Sequence, residues 1–291
     1  MQIKRLLGLD DEETIFFAEE SLADLVTLPV TAELLSSDPD FDSAFKLESD
    51  ELLGIALHLS SPDSWLLLTD HFSEEKIVVG YASELHCEQI LTSEDLFLES
   101  VLELYSLYLA EELFCDSCHV TDPPLYARDR IARLERFIGP VLSSDLEIME
   151  VCCGSGMATQ ALYSQGFSPW TVDIDRCDVC SALKAGLLDP KRTLVLDARQ
   201  LHHFFNPESF DVVLGFMVGL IDDFNWDTWR DILIRSAKLA RRMIIFTVYT
   251  EKEANLIAKD LRDAGWNGEI IDNRDPKGIY DQWAYIAHKI Q

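Results

Sequence analysis

The chain has 291 residues, 48% of them hydrophobic, and a formal net charge of −28 from 52 acidic against 24 basic residues. That length and apolar supply suffice for one large or two modest domains, and the charge excludes a nucleic-acid backbone as partner for the surfaces that carry it. No run of about 18 apolar residues is present and the N-terminal stretch turns acidic at Asp10, too early for a secretory apolar core; with seven cysteines, an odd number that argues for free thiols, a cytoplasmic protein without membrane contact is expected.

The charge is unevenly spread. Residues 1–125 hold 28 Asp and Glu against 4 Lys and Arg, and residues 126–291 hold 24 against 20. An acidic first part reads either as a solvated surface or as a dock for a basic protein or a cationic ligand. Within it "ETIFFAEESLADLV" and "SDELLGIALHL" read as helices, whereas "SWLLLTD" and "KIVVGYA" suit short strands. "SEDLFLESVLELYSLYLAEELF" opens on a capable N-cap, Ser93, and places Phe97, Val101, Leu104, Tyr105, Tyr108 and Leu109 near helical spacing, which predicts a long amphipathic helix. A mainly helical, acidic N-terminal domain over 1–125 follows, ending where Pro123 and Pro124 enforce extended backbone. No fixed-period repeat and no low-complexity segment is present.

From residue 126 the pattern changes. "LEIMEV", "PWTVDI", "TLVLDA", "FDVVLGFMV" and "RMIIFTVY" are short apolar or β-branched runs. Between them lie helical stretches "MATQALYSQG", "RCDVCSALKAGLL" and "WDTWRDILIRSAKLA". Strand alternating with helix predicts a doubly wound, mostly parallel α/β sheet over 126–291. The helix "TEKEANLIAKDLRDAGW" and the extended runs "GEIID" and "QWAYIAHKI" complete it with a C-terminal antiparallel hairpin.

In open α/β sheets ligands bind beyond the carboxyl ends of the strands, and the first strand-to-helix turn supplies the contact. "LEIMEVCCGSGMATQALYSQG" is such a turn. Gly154 and Gly156 allow close backbone approach, and a helix from about Met157 offers free N–H groups. Three successive strands end in acids: Glu150, Asp173 and Asp197. A carboxylate after the second strand suits ribose hydroxyls, and a rim this acidic suits a nucleoside with a cationic tail better than a pyrophosphate.

These motifs, "EVCCGSG", "VDID" and "DARQL" followed by "FDVVLGFMVGLI" and a hairpin, resemble the class I S-adenosylmethionine-dependent methyltransferase family over residues 126–291. The resemblance implies a seven-stranded sheet and S-adenosyl-L-methionine as cofactor. It implies that Glu150 and the backbone of Cys152, Cys153, Gly154, Ser155 and Gly156 hold the methionine moiety and that Asp173 binds the ribose. It further implies that Asp197 and Ala198 recognise the adenine, that Phe216 and Met217 close over the cofactor, and that Tyr126 touches it. The family's loop commonly has glycine where this chain has Cys152; a cysteine is acceptable there at negative φ.

Methyl transfer from a sulfonium is an in-line displacement that needs alignment and water exclusion more than a fixed catalytic residue. The acceptor belongs beyond the fourth strand, where "GFMVGLIDDF" lacks the proline pair of amide and exocyclic-amine methyltransferases, leaving a small molecule or a specific protein side chain. Asp222, Asp223, His202 and His203 are candidate bases, although both aspartates also suit helix capping and the histidines suit a polar helix face. The pairs Cys115/Cys118 and Cys177/Cys180 have the arithmetic of a four-thiolate zinc site, but their wide separation favours ordinary thiols and no metal. Two rivals stand beside methyl transfer. One is a non-catalytic cofactor-binding adaptor or sensor whose acidic domain docks a basic partner. The other is a nicotinamide-dependent oxidoreductase, which calls for a third glycine where Thr159 stands.

Overall fold

The computed structural model describes residues 1–111 and 125–290. The chain forms two compact units, Met1–Leu113 and Phe114–Gln291. The division precedes the expected 125/126 boundary and falls inside 112–124, so the Pro123–Pro124 stop lies outside the described residues.

Unit 1 contains α1 (Gln2–Leu7), β1 (Ile15–Phe17), α2 (Asp24–Thr27), α3 (Pro29–Ser36), β2 (Ser43–Glu48), β3 (Leu52–Ser60), β4 (Asp63–Leu68), α4 (Ile77–Ala82), β5 (Glu88–Leu91) and α5 (Glu94–Glu111). Its five strands form one mixed sheet in the order β1-β4-β3-β2-β5. The expectation of a mainly helical domain is therefore corrected to an α+β unit.

Two segments account for most of the difference. "SDELLGIALHL" becomes the central strand β3, buried over Leu53–Leu57; a short continuous apolar run has no period to separate a strand from a helix. "KIVVGYA" becomes α4 because the buried Asp70 carboxylate accepts from the amides of Val78 and Val79 at 2.7 and 3.0 Å, satisfying orphan donors of its first turn. α5 forms as its periodicity predicts, with the Ser93 hydroxyl accepting from the Leu96 amide at 3.2 Å.

Unit 2 opens with α6 (Leu125–Ile138) and continues β6 (Ile148–Val151), α7 (Thr159–Ser164), β7 (Trp170–Asp173), α8 (Arg176–Lys184), β8 (Thr193–Val195), a 3₁₀ turn (Ala198–His203), β9 (Phe210–Gly215), α9 (Trp226–Ala237), β10 (Ala240–Val248), α10 (Glu251–Asp263), β11 (Trp266–Asp272) and β12 (Trp283–Lys289). The predicted strand and helix alternation is present throughout, with α7 starting at Thr159 rather than near Met157.

The seven strands run β11-β12-β10-β9-β6-β7-β8. β6 to β10 are mutually parallel, and β12 inserts antiparallel between β10 and β11. Leu134, Ile138, Ala161, Leu162, Val212 and Ile245 share one buried cluster beside α6 and α7. The order reverses between β6 and β9, so the crevice beyond their carboxyl ends is the topological switch point, where such sheets bind ligands.

Candidate functional site at the switch point

Glu150 lies on β6, fully interior at 1% exposure. Its Oε2 has no hydrogen-bond partner. Burial, the largest cause, raises the carboxyl from 4.5 to about 7, with the opposing pulls of Thr159 and Arg130 weaker. A buried, unpartnered carboxylate is expensive unless a cation or donor meets it.

The loop beyond Glu150 turns on three left-handed residues, Cys152 at φ 58°, Gly154 at 52° and Gly156 at 73°. The two glycines take this conformation without strain. Cys152 does not, and the expected negative φ is corrected. An L-residue there carries a steric penalty of about 1–2 kcal/mol, partly offset by the lower entropy of its unfolded chain. Cys152→Gly should therefore fold with stability unchanged or raised by about 1 kcal/mol, and Cys152→Val should lose stability; hydrogen exchange of the β6 amides tests both.

Asp173, at the end of β7, holds the loop. Its Oδ2 accepts from the Gly154 amide at 2.7 Å and its Oδ1 from the Asp175 amide at 2.8 Å. Each carboxylate oxygen keeps a further acceptor site. Asp175 in turn caps α8, accepting from Cys177 and Asp178. Asp178 stands 3.8 Å from where a Gly154 side chain would begin, and its carboxyl is raised first by burial and then by Asp175 and Asp173. Ile174, next to Asp173, is 70% exposed, an apolar surface at the crevice that sequence reasoning passed over.

The other predicted positions divide. Asp197 ends β8, but its two oxygens are bonded by the Arg199 guanidinium at 3.0 Å each and its carboxyl is held low by that arginine; Ala198 is buried beside it. Phe216 sits in the core cluster with Leu134 and Ala158, so its side chain is packing rather than a flap. Met217 has φ 61° and its amide donates to the Thr247 hydroxyl at 2.6 Å. Tyr126 belongs to α6, but its side chain lies outside the described residues. Ser155 occupies the loop between the two glycines.

The four candidate bases lie on two segments, the turn after β8 and the stretch between β9 and α9. The Asp222 Oδ1 closes a local turn, accepting from the Phe224 and Asn225 amides, while Asp223 is exposed and paired with Lys252 at 3.3 Å. His202 and His203 have ring centres 4.1 Å apart, on the turn after the edge strand β8. Three strand spacings, about 14 Å, separate β8 from β9. Cys177 is exposed and Cys180 buried on α8. Cys115 and Cys118 lie outside the described residues, and among the described residues no group of three or more metal-ligating side chains is gathered.

A buried network borders the crevice on the β10 side. Arg130 of α6 donates to Asp281 through Nε at 2.7 Å and Nη2 at 3.2 Å, and reaches the Phe216 carbonyl at 3.4 Å. Asp281 also accepts from Thr247 at 2.6 Å, the hydroxyl that receives the Met217 amide. Glu253 accepts from the Ile221 amide at 2.9 Å, so the segment after β9 is tied at two points.

The strand order 3-2-1-4-5 with a closing antiparallel pair is the arrangement that the family resemblance implies. Unit 2 thus has the sheet topology expected from the resemblance to the class I S-adenosylmethionine-dependent methyltransferases. No protein-family model and no curated protein matches the chain. Solved structures similar to it include a magnesium protoporphyrin IX methyltransferase from Synechocystis PCC 6803 with bound SAM, at 15% identity and TM-score 0.43, covering 66% of this chain and 97% of that one. A 1,6-didemethyltoxoflavin-N1-methyltransferase from Burkholderia thailandensis, with 1,6-didemethyltoxoflavin and S-adenosylhomocysteine bound, shows 17% identity and TM-score 0.42 over 59% and 94% of the two chains. A Pyrococcus horikoshii OT3 protein shows 18% identity and TM-score 0.45 over 58% and 94%.

Proposed function

We propose that the protein is an S-adenosylmethionine-dependent methyltransferase. The observation that carries this reading is the Glu150 carboxylate buried beside the glycine loop, whose Oε2 has no partner. An ammonium group is the partner that such a carboxylate lacks, and the methionine moiety supplies one. Asp173 has acceptor capacity for ribose hydroxyls, Ile174 offers an apolar face for the base, and Gly154 leaves its side of the loop clear of side chain. When bound, the cofactor supplies a methyl group already activated on a sulfonium.

What the chain does is bind, orient and exclude water. Glu150 holds the cationic end, Asp173 the sugar, and the pinned segment after β9 forms the wall against which an acceptor is aligned. An in-line displacement at a sulfonium needs alignment more than a fixed base, so the reading fits an acceptor that is already nucleophilic. Asp197, committed to Arg199, contributes to the base pocket through the adjoining backbone. Unit 1, with its excess of acidic residues, suits a role in docking basic partners, and a cofactor-binding adaptor is the second reading that this charge favours.

Replacing Asp173 by Ala should weaken S-adenosylhomocysteine binding by about 1–3 kcal/mol, roughly 5- to 150-fold. Calorimetry measures it, and unchanged affinity overturns the assignment of β7's terminal acid. Binding of NADH without S-adenosylmethionine would discard methyl transfer altogether. Labelled cofactor incubated with fractionated extract separates enzyme from adaptor: a methylated product defines the first, and binding without any product the second.

A further inference from the structure

In a chain with more than twice as many acidic as basic residues, α6 carries Arg128, Arg130, Arg133 and Arg136. Facing them is the β11–β12 connection, with Arg274, Lys277 and Tyr280. Between helix and connection lies a cleft of about 590 Å³ lined by Arg130, Arg133, Arg136, Lys277, Ile279 and Tyr280, with Asp129 and Asp275 on its walls. Its cations are unequally compensated. Arg130 is neutralised by Asp281 at 2.7 Å, and Arg274, in the adjoining cleft, by Asp272.

Arg133 is only half satisfied. Its Nη2 donates to the Tyr280 carbonyl at 3.1 Å, its Nε stands 3.9 Å from Asp275, and its buried Nη1 has no partner. Arg136 and Lys277 are exposed and have no ion pair within the described residues. Asp275 is itself committed, its Oδ1 accepting from the Lys277 amide at 2.8 Å. Among the described residues the cleft thus holds two cations without an ion pair beside a third with one unpartnered donor. Its inner wall, Arg130, touches the Phe216 carbonyl at the end of β9.

The geometry points to an anion-binding cleft that receives a carboxylate or phosphate group of the methyl acceptor. Placing that anion on the acceptor rests on the methyltransferase reading; the anion site itself does not. Guanidinium forks and an ammonium are the donors that bind such oxyanions with charge-assisted bonds. The strongly acidic remainder of the chain repels anions, so the affinity belongs to this cleft and falls as salt rises. Ile279, 67% exposed at its mouth, adds an apolar contact for the body of the same ligand.

Calorimetric titration of the intact protein at low salt with citrate, and separately with pyrophosphate, tests the site. At least one of the two should bind at a single site, citrate marking a carboxylate preference and pyrophosphate a phosphate preference. Arg136→Glu and Lys277→Glu should each weaken that binding tenfold or more, while Lys184→Glu, an equal charge change at an exposed position of α8, leaves it within twofold. Thermal melts identify any variant that does not fold, and Arg136→Gln and Lys277→Gln, which change no packing, repeat the test with a smaller loss. Absence of binding by both anions, or equal loss in Lys184→Glu, overturns the proposal. A parallel S-adenosylhomocysteine titration keeps the two readings apart: anion binding without it discards methyl transfer and leaves the cleft, whereas the converse removes only the cleft.

Discussion

Asp281→Ala should destabilise unit 2 by about 3–5 kcal/mol, a large part of the 5–15 kcal/mol available to a typical domain. Asp281 is 1% exposed and pairs with an Arg130 side chain that is 11% exposed, so the charge left behind is poorly solvated. The loss propagates along named bonds. Thr247 loses its acceptor, the Met217 amide loses a fixed hydroxyl, and Arg130 keeps the long contact to the Phe216 carbonyl and its place over the Tyr280 ring. Asp281 also sits at φ 55°, which Asn tolerates far better than Ala. Asp281→Asn should therefore lose less, and Arg130→Met combined with Asp281→Asn should recover part of the loss of either single change. Hydrogen exchange of β10 and β12 amides under urea reads unit 2 separately from unit 1; protection unchanged in Asp281→Ala would mean that the pair contributes nothing.

Glu150→Gln is expected to act in opposite directions on stability and on ligand binding. The folded-state carboxyl is raised from 4.5 to about 7, so between those values the folded chain binds the proton that the unfolded chain releases. Stability therefore falls as pH rises through this window, and the penalty is complete above about 7, on the order of 3 kcal/mol from the size of the shift. Gln carries no such penalty. Wild type and variant should have similar stability at pH 4.5, and the variant should be the more stable at pH 8.5, as seen in urea unfolding at both values. For S-adenosylhomocysteine the sign reverses. Wild-type affinity should rise as the carboxylate forms through about pH 7, and the variant should bind weakly with that rise abolished. A variant that binds as tightly as wild type at pH 8.5 would remove Glu150 from the site.

Legibility in the sequence followed the range of the interactions. Glu150, Gly154, Gly156 and Asp173 lie within a short stretch whose spacing sets a strand, a turn, a helix and a second strand, so the crevice could be located before any coordinates. The Arg130–Asp281 pair spans 151 positions, and neither residue has a local pattern that marks it. Unit 1 was misread for the same reason. β3 is a run of apolar residues whose partners on β2 and β4 decide its conformation, and α4 depends on a carboxylate at Asp70 that precedes it. Asp197 looked like a third free acid because the spacing shows position and not company; Arg199, two residues on, occupies it. Phe216 was assigned to the ligand from its place after β9, whereas its side chain turns into the core.

Cys152 and Cys153 have a consequence beyond packing. Burial first, and then Asp173, Asp197 and Glu150, push the Cys152 thiol far above its ordinary range, and burial does the same for Cys153. Thiolates, unlike thiols, are strong nucleophiles, and a sulfonium is an alkylating agent. In the proposed reading burial, reinforced by the acids that attract the cofactor, keeps both sulfurs protonated, which protects the protein from methylating itself.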